Sequence, residues 1–378
     1  MTPIEDDSLR IMHGGPFYDL MERLCMRRRG RRAAVLVLLC WVVPLLLVVW
    51  TRGIDGADVF LRDWGAWAKF LIAPVLLTLA EKPIGFALDE CLSIFFRVPL
   101  VASQSMQAAR HALRDARDRT TAGMPEIVCA AVAMAATATN ASVFFGGSGP
   151  DWALSEEGIS APGVWCLLVG NAVYWFLLTR LVWKHLIWWR FLSSIGKCHL
   201  RLVATHPDGH AGLGFLGFYP AGYGLFTLAV SSVFAAGVGH VMQRVTVTPS
   251  LFAAVCVAWL GVVVIYYVMP LVAIAMQICR LKRRTVVTSL TKVSDFERWN
   301  ERATLGENVF VDEGEPEMAE FRDAKSIYLA AMRTSALVIN KGNILPLLLQ
   351  AILPMLVVGA TYLPFSQLGP ILKRLLLL

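Results

Sequence analysis

The chain has 378 residues, 56% of them hydrophobic and only 17% charged, with a formal net charge of +7; its mean hydropathy is +0.58. Soluble proteins carry about a quarter charged residues, so this deficit requires segments that never meet water and excludes a simple soluble enzyme. Disordered and nucleic-acid-binding chains are excluded too, because they need low hydrophobicity or basic residues gathered on a wet face.

In chain order, uncharged apolar runs of roughly twenty residues mark about seven membrane spans. Residues 1–32 form a segment ending in Arg27-Arg28-Arg29-Gly30-Arg31-Arg32. The first span, Ala33–Thr51, is followed by no small-residue cleavage site and reads as an uncleaved signal anchor. The second, Trp67–Ala80, is extendable by Ile84–Leu88 and ends at Glu81-Lys82, a pair expected to neutralise itself at the interface. Near residues 102–121, Met106, Ala109, Leu113 and Ala116 fall on one helical stripe, with Arg114/Asp118 and Asp115/Arg119 spaced for intrahelical pairs. Its basic side makes anionic lipids a candidate partner.

The third span, Pro125–Phe145, is so rich in alanine that other helices are expected to enclose it; it carries Thr137, Thr139, Asn140 and Ser142. Gly146–Gly163 holds Asp151, Trp152, Glu156 and Glu157 and no basic residue, either a solvated loop or a vestibule that concentrates cations. The fourth span, Val164–Trp183, contains Asn171 and Arg180 and is expected to continue as a helix over residues 184–203, where Trp188 and Trp189 alternate with Lys184, Arg190, Lys197 and Arg201 as an aromatic belt with snorkelling cations. Arg180 reads as a headgroup anchor or an anion ligand.

The fifth and sixth spans are Pro220–Met242, with Ser231, Ala235 and Gly239 at close-packing spacing, and Leu251–Ile278. In the loop over residues 279–343, Ser294-Asp295-Phe296-Glu297 is a capping box that predicts a short helix through Arg302. A second helix is expected from about Pro316, with Phe321, Ala324, Tyr328 and Met332 on one face. Residues 344–378 hold the seventh span, Ile344–Pro364 with Gln350, and a tail whose Ile371–Leu378 end suits the interface. The fold class is therefore an all-α polytopic membrane bundle with cytoplasmic helical extensions.

Orientation follows from Lys and Arg, which stay on the cytoplasmic side. Alternate hydrophilic segments starting with the N-terminus hold about 29 of the 35 basic residues. The N-terminus and the 279–343 loop are thus expected in the cytoplasm. None of the eight cysteines falls in a segment assigned to the outside, and no Cys-x-x-Cys pair exists, so neither disulfides, a thiolate zinc site nor any other cofactor is expected.

The most unusual segment is Thr205-His206-Pro207-Asp208-Gly209-His210-Ala211-Gly212-Leu213-Gly214-Phe215-Leu216-Gly217, before an apolar run interrupted again at Pro220, Gly222 and Gly224. The run is too long for one span and suggests a short half-helix, a break and then the fifth span; broken backbone at membrane depth must be buried in protein or line a cavity. Gly212, Gly214 and Gly217 match a dinucleotide fingerprint, but no strand precedes them. His206, Asp208 and His210 fit no closed metal geometry, and no metal is assigned. The plainer alternative is a helix start, with Thr205 or His206 capping, Pro207 in the first turn and Asp208 at the positive dipole end. Hydrolase, metalloprotease and P-loop signatures are lacking, as is an internal repeat.

Arg180-x-x-Trp183, Ile187-Trp188-Trp189-Arg190-Phe191-Leu192 and His206-Pro207-Asp208 with Gly212-Leu213-Gly214-Phe215-Leu216-Gly217 resemble a family of uncharacterised bacterial multi-pass membrane proteins. Trp41-x-x-Pro44, Ala80-Glu81, Phe296-Glu297-Arg298-Trp299, Pro346 and Pro354 extend the likeness along the chain. Such relatives usually carry a second glycine where this chain has Ala211. The resemblance implies the fold and a bacterial inner membrane, and no mechanism.

The leading expectation is a channel or transporter for an ion or small solute. His206, Asp208, His210, Gly212, Gly214 and Gly217 form its candidate site, and Asn140, Asn171, Glu81 and Arg180 its candidate pathway residues. A scaffold recruiting partners through residues 279–343 competes with it. A membrane enzyme, the third alternative, requires Glu81, His206, Asp208 and His210 to converge. The bilayer is the main partner, and self-association is compatible with the composition.

Overall fold

A computed structural model describes residues 14–26, 28–146, 149–156, 158–307, 324–339 and 341–363. Helix α1 (Pro16–Arg23) precedes α2 (Arg29–Leu61), α3 (Trp64–Arg97), α4 (Met106–Thr121), α5 (Gly123–Phe145) and α6 (Ala161–Ile195). A 3-10 segment, Gly214–Tyr223, leads into α7 (Gly224–Arg244); α8 (Pro249–Val268), α9 (Val272–Leu305), α10 (Ala324–Arg333) and α11 (Lys341–Tyr362) complete the bundle. Among the described residues, seven helical stretches are long and apolar enough to cross a membrane. The chain is therefore an all-α polytopic bundle. The helix start at Pro316, Phe321, Glu157 and the Ile371–Leu378 tail lie outside the described residues.

The second and fourth stretches run 34 and 35 residues. At about 1.5 Å per residue each spans roughly 50 Å, about 20 Å more than a hydrocarbon core. Both overshoot at the end where α2 begins with Arg29, here termed the basic end. There Ile84, Leu88, Leu92 and Phe95 of α3 pack with Trp188, Phe191 and Ile195 of α6 and with Leu213, Leu216 and Tyr219, all essentially inaccessible. The densest core thus lies toward the basic end.

Prolines shape the helices elsewhere. Leu38–Val42 in α2 and Trp67–Ile72 in α3 are π-helical, directly before Pro44 and Pro74. A proline withholds its N–H and crowds the preceding turn, and a widened turn accommodates it. Counting five residues back from Pro44 leaves the Leu39 carbonyl without its helical donor, and Trp165 Nε1 donates to it at 2.8 Å. Pro270, between α8 and α9, likewise orphans the Tyr266 carbonyl, and His185 Nε2 lies 3.0 Å away with its ring stacked on Tyr266 at 4.0 Å. A third π-helical stretch, Cys166–Asn171 in α6, meets the one in α3 at Gly170, where an added Cβ would stand 2.6 Å from Phe70.

Several expectations need correction. The alanine-rich α5 is not enclosed: Cys129, Ala133 and Thr137 are its buried residues, while Met124, Val128 and Val143 are exposed. Small side chains here serve close packing on α6. The helix after the fourth span stops at Ile195, where Gly196, a poor helix former, caps it close against Ala273, and Leu200 then bridges to Val101 in extended form. Ser294 starts no separate helix; α9 runs through it to Leu305 and ends at left-handed Gly306, because a capping signature cannot stop a helix whose backbone donors are already bonded. The stripe Ser231, Ala235 and Gly239 packs as expected, with Gly239 against Val358 of α11.

Residues 204–213 form turns instead of a helix start. Ala211 is buried there with φ of 58°, a left-handed conformation that costs an L-residue about 1–2 kcal/mol. Ala211→Gly is expected to change stability by no more than about 1 kcal/mol, strain relief offsetting the lost methyl and added unfolded-state entropy. Ala211→Val, β-branched in the same conformation, is expected to destabilise by about 2 kcal/mol. Thermal unfolding of both variants in detergent checks this.

Candidate functional site

Three polar constellations stand out. The first lines a cavity of about 300 Å³ at the end opposite the basic one, between α3, α5, α6 and α7. Asp63, in the turn between α2 and α3, caps the first turn of α3 through Gly65 N–H at 2.7 Å. Its other oxygen accepts from Trp152 Nε1 at 2.7 Å, and His240 Nε2 lies 3.0 Å from the first. Gly65 permits the approach, since a Cβ there would stand 2.8 Å from the His240 ring. Burial acts to raise the Asp63 pKa, but the bonds from His240 and Trp152 and the His240 charge hold it below the usual carboxylate range.

Lys69 and Asn171 enter the same cavity from the π-helical stretches of α3 and α6. π-helical insertions rotate the residues that follow and recur at functional sites. Asn140 Nδ2 donates to Asn171 Oδ1 at 2.9 Å, and Asn171 Nδ2 donates to Thr137 Oγ1 at 3.0 Å. The Lys69 ammonium lies 5.8 Å from the Tyr174 ring centre and has no carboxylate or hydrogen-bond acceptor among the described residues. The cavity therefore presents an uncompensated cation beside two amides and an Asp–His pair.

The second constellation is a buried charge cluster toward the basic end. Glu81 is ion-paired with Arg180 through one oxygen, and through the other with Arg32 at 3.4 Å and Arg29 at 3.8 Å. Arg180 Nε also reaches Glu126 at 3.1 Å, and Glu126 accepts the Phe17 N–H at 2.6 Å. The Phe17 ring lies 4.7 Å below the Arg180 guanidinium. Arg32, Arg180 and the nearby Lys184 are 3%, 2% and 5% exposed, so none of them snorkels out of the protein to the water layer as a headgroup-anchoring chain would. Glu81 does not pair with Lys82 as expected, because adjacent helical residues point about 100° apart.

The third is the His206–Gly217 segment. Asp208 accepts from the N–H groups of His210, Gly212 and Gly214 at 2.8, 3.1 and 2.8 Å, and His206 Nδ1 lies 2.8 Å from it. Burial acts to raise its pKa, but the Gly214, His210 and Gly212 bonds and His206 bring it below the ordinary value. His210 Nδ1 lies 3.1 Å from the Ser335 carbonyl, and the Gly217 carbonyl accepts from Asn343. The carboxylate is thus occupied in organising its own turn.

The structure brings together Asn140 with Asn171, Glu81 with Arg180, and His206 and His210 with Asp208. It does not bring Glu81 to the His206–His210 turn: that turn packs against Leu100, past the end of α3, and Glu81 to Arg97 is about 24 Å of helix. Sequence reasoning missed Asp63, Lys69, His240, Arg32 and Glu126. Lys69, a lone lysine inside an apolar run, was the available signal. These features define an integral membrane protein of the polytopic helix-bundle class, with a polar cavity at one end and buried ion pairs toward the other. Compared with protein-family models, curated proteins and solved structures, the chain matches none.

Glu81→Gln leaves buried arginines short of a counter-charge and is expected to destabilise by about 3 kcal/mol. Lys82→Gln, exposed one residue along, should stay within about 0.5 kcal/mol in the same detergent unfolding assay. Asp208→Asn is expected to cost about 2 kcal/mol at pH 7. Because the folded pKa of Asp208 is lowered, its contribution is full above about pH 4 and is lost as pH falls through the folded value. Unfolding midpoints of the unmodified chain and of Asp208→Asn should therefore converge in acid.

Proposed function

We propose that this protein is a transporter of a small ion or polar solute in a bacterial inner membrane, with its N-terminus in the cytoplasm. The observation that carries this reading is the cavity holding Lys69, Asp63, His240, Asn140 and Asn171. Ionisable groups within spans are expensive to keep and ordinarily serve a substrate path. Basic segments gathered at the Arg29 end support a cytoplasmic location for that end. The cavity then faces the outside.

Inward of the cavity, between Lys69 and Glu81, about 18 Å of α3, the buried Ala73 and Leu77 belong to the same apolar core as Leu177 of α6. Beyond that apolar layer lies the Glu81–Arg180 cluster. An open cavity on one side and an apolar seal backed by ion pairs on the other is the arrangement expected of alternating access, more than of a continuous channel. The His206–Gly217 turn then serves as a cytoplasmic buttress, not as the binding site.

In proteoliposomes, uptake of small inorganic ions and carboxylates is expected above that of empty vesicles for at least one solute. Lys69→Met and His240→Ala should each reduce it by about tenfold or more, equivalent to about 1.4 kcal/mol or more of lost interaction, with folded yield retained. No flux above empty vesicles across the panel overturns the reading.

A further inference from the structure

A second cleft, of about 430 Å³, opens near the charge cluster, where α1 leans on α2, α5 and α6. Its walls are apolar, with Met21, Leu36, Ala133 and Phe176 among them, and its charged lining residues are Arg32 and Glu81. Met134 and Leu24, at its rim, are 59% and 51% exposed, so the cleft gives onto the face that the spans turn toward lipid.

Three guanidinium groups share two carboxylates there: Arg29, Arg32 and Arg180 are paired with Glu81, and Arg180 also with Glu126. Arg29 Nε, Arg32 Nε and Arg180 Nη2 are buried and make no hydrogen bond among the described residues. A buried donor without an acceptor is costly, and a guanidinium Nε–H beside a terminal N–H offers the fork that phosphate oxygens fill. An apolar cleft lined at one end by the under-bonded Arg32 guanidinium, with Arg29 paired to the same Glu81, matches a molecule with an alkyl chain and an anionic head.

We propose that the cleft binds an anionic phospholipid, one acyl chain lying between Met21 and Phe176 and the phosphate meeting Arg29 and Arg32. The lipid supplies the negative charge that Glu81 and Glu126 leave short, and its chain fills the space between α1 and the spans. The site is independent of transport, since it requires only that this end of the bundle contact a leaflet.

The test uses the full chain, delipidated in detergent and offered phosphatidylglycerol or phosphatidylcholine with identical chains, with retained lipid counted by native mass spectrometry. Retention of phosphatidylglycerol at least tenfold above phosphatidylcholine is expected. Arg32→Gln should lower it about tenfold. Ala130→Phe, at an exposed position of α5 that lines the cleft, fills it, leaves every charge in place and should do the same, and it carries the test if the arginine variant fails to fold. Equal retention of the two lipids overturns the proposal. So does phosphatidylglycerol retention unchanged by Ala130→Phe, which assigns binding to another basic surface, or retention of oleate to the exclusion of phosphatidylglycerol.

Discussion

A charge removed from water must be met by an opposite charge or by hydrogen bonds, and the Glu81 carboxylate is where this protein satisfies that rule most densely. Arg32 comes from the start of α2, Glu81 from the middle of α3, Glu126 from the first turn of α5 and Arg180 from the middle of α6. Their mutual pairing fixes the relative height and rotation of four helices. Apolar packing alone could not do so, since leucine-rich faces slide past one another at little cost. Phe17, hydrogen-bonded to Glu126 and stacked beneath Arg180, draws the N-terminal helix into the same arrangement.

Proline supplies the second organising influence. Pro44, Pro74 and Pro270 each interrupt a hydrogen-bond ladder, and around two of them a side chain from another helix repairs the loss: Trp165 at Leu39 and His185 at Tyr266. Such repairs are stringent at membrane depth, where no bulk water can substitute. The widened turns before Pro44 and Pro74 also alter which face of each helix looks inward. In α3 that change helps turn Lys69 toward the cavity shared with Asp63 and His240.

Much of the architecture was legible from the chain. Each span stood out as an apolar run, and Asn140, Asn171, Glu81 and Arg180 were recognisable as polar groups that such runs seldom carry. Their partners were not legible. Asn140 and Asn171 bond to each other across helices, and Glu81 takes Arg180 from 99 residues away in place of adjacent Lys82. The His-Pro-Asp segment drew attention by its composition, yet its aspartate bonds to the backbone of its own turn. Glycine-rich turns and ligand loops share a vocabulary, and only the direction of the carboxylate separates them.

The sequence by itself determined that this is a membrane helix bundle, because the cost of exposing backbone to lipid ties every apolar run of sufficient length to one structure. It also determined where helices are disturbed, since proline acts locally through its missing N–H. Tertiary structure alone decided that Lys69, Asp63 and His240 line one cavity and that Glu81 joins Arg32 and Arg180. Those contacts depend on how helices far apart in the chain rotate and stack, a choice set by the summed packing of the bundle and invisible at any single position.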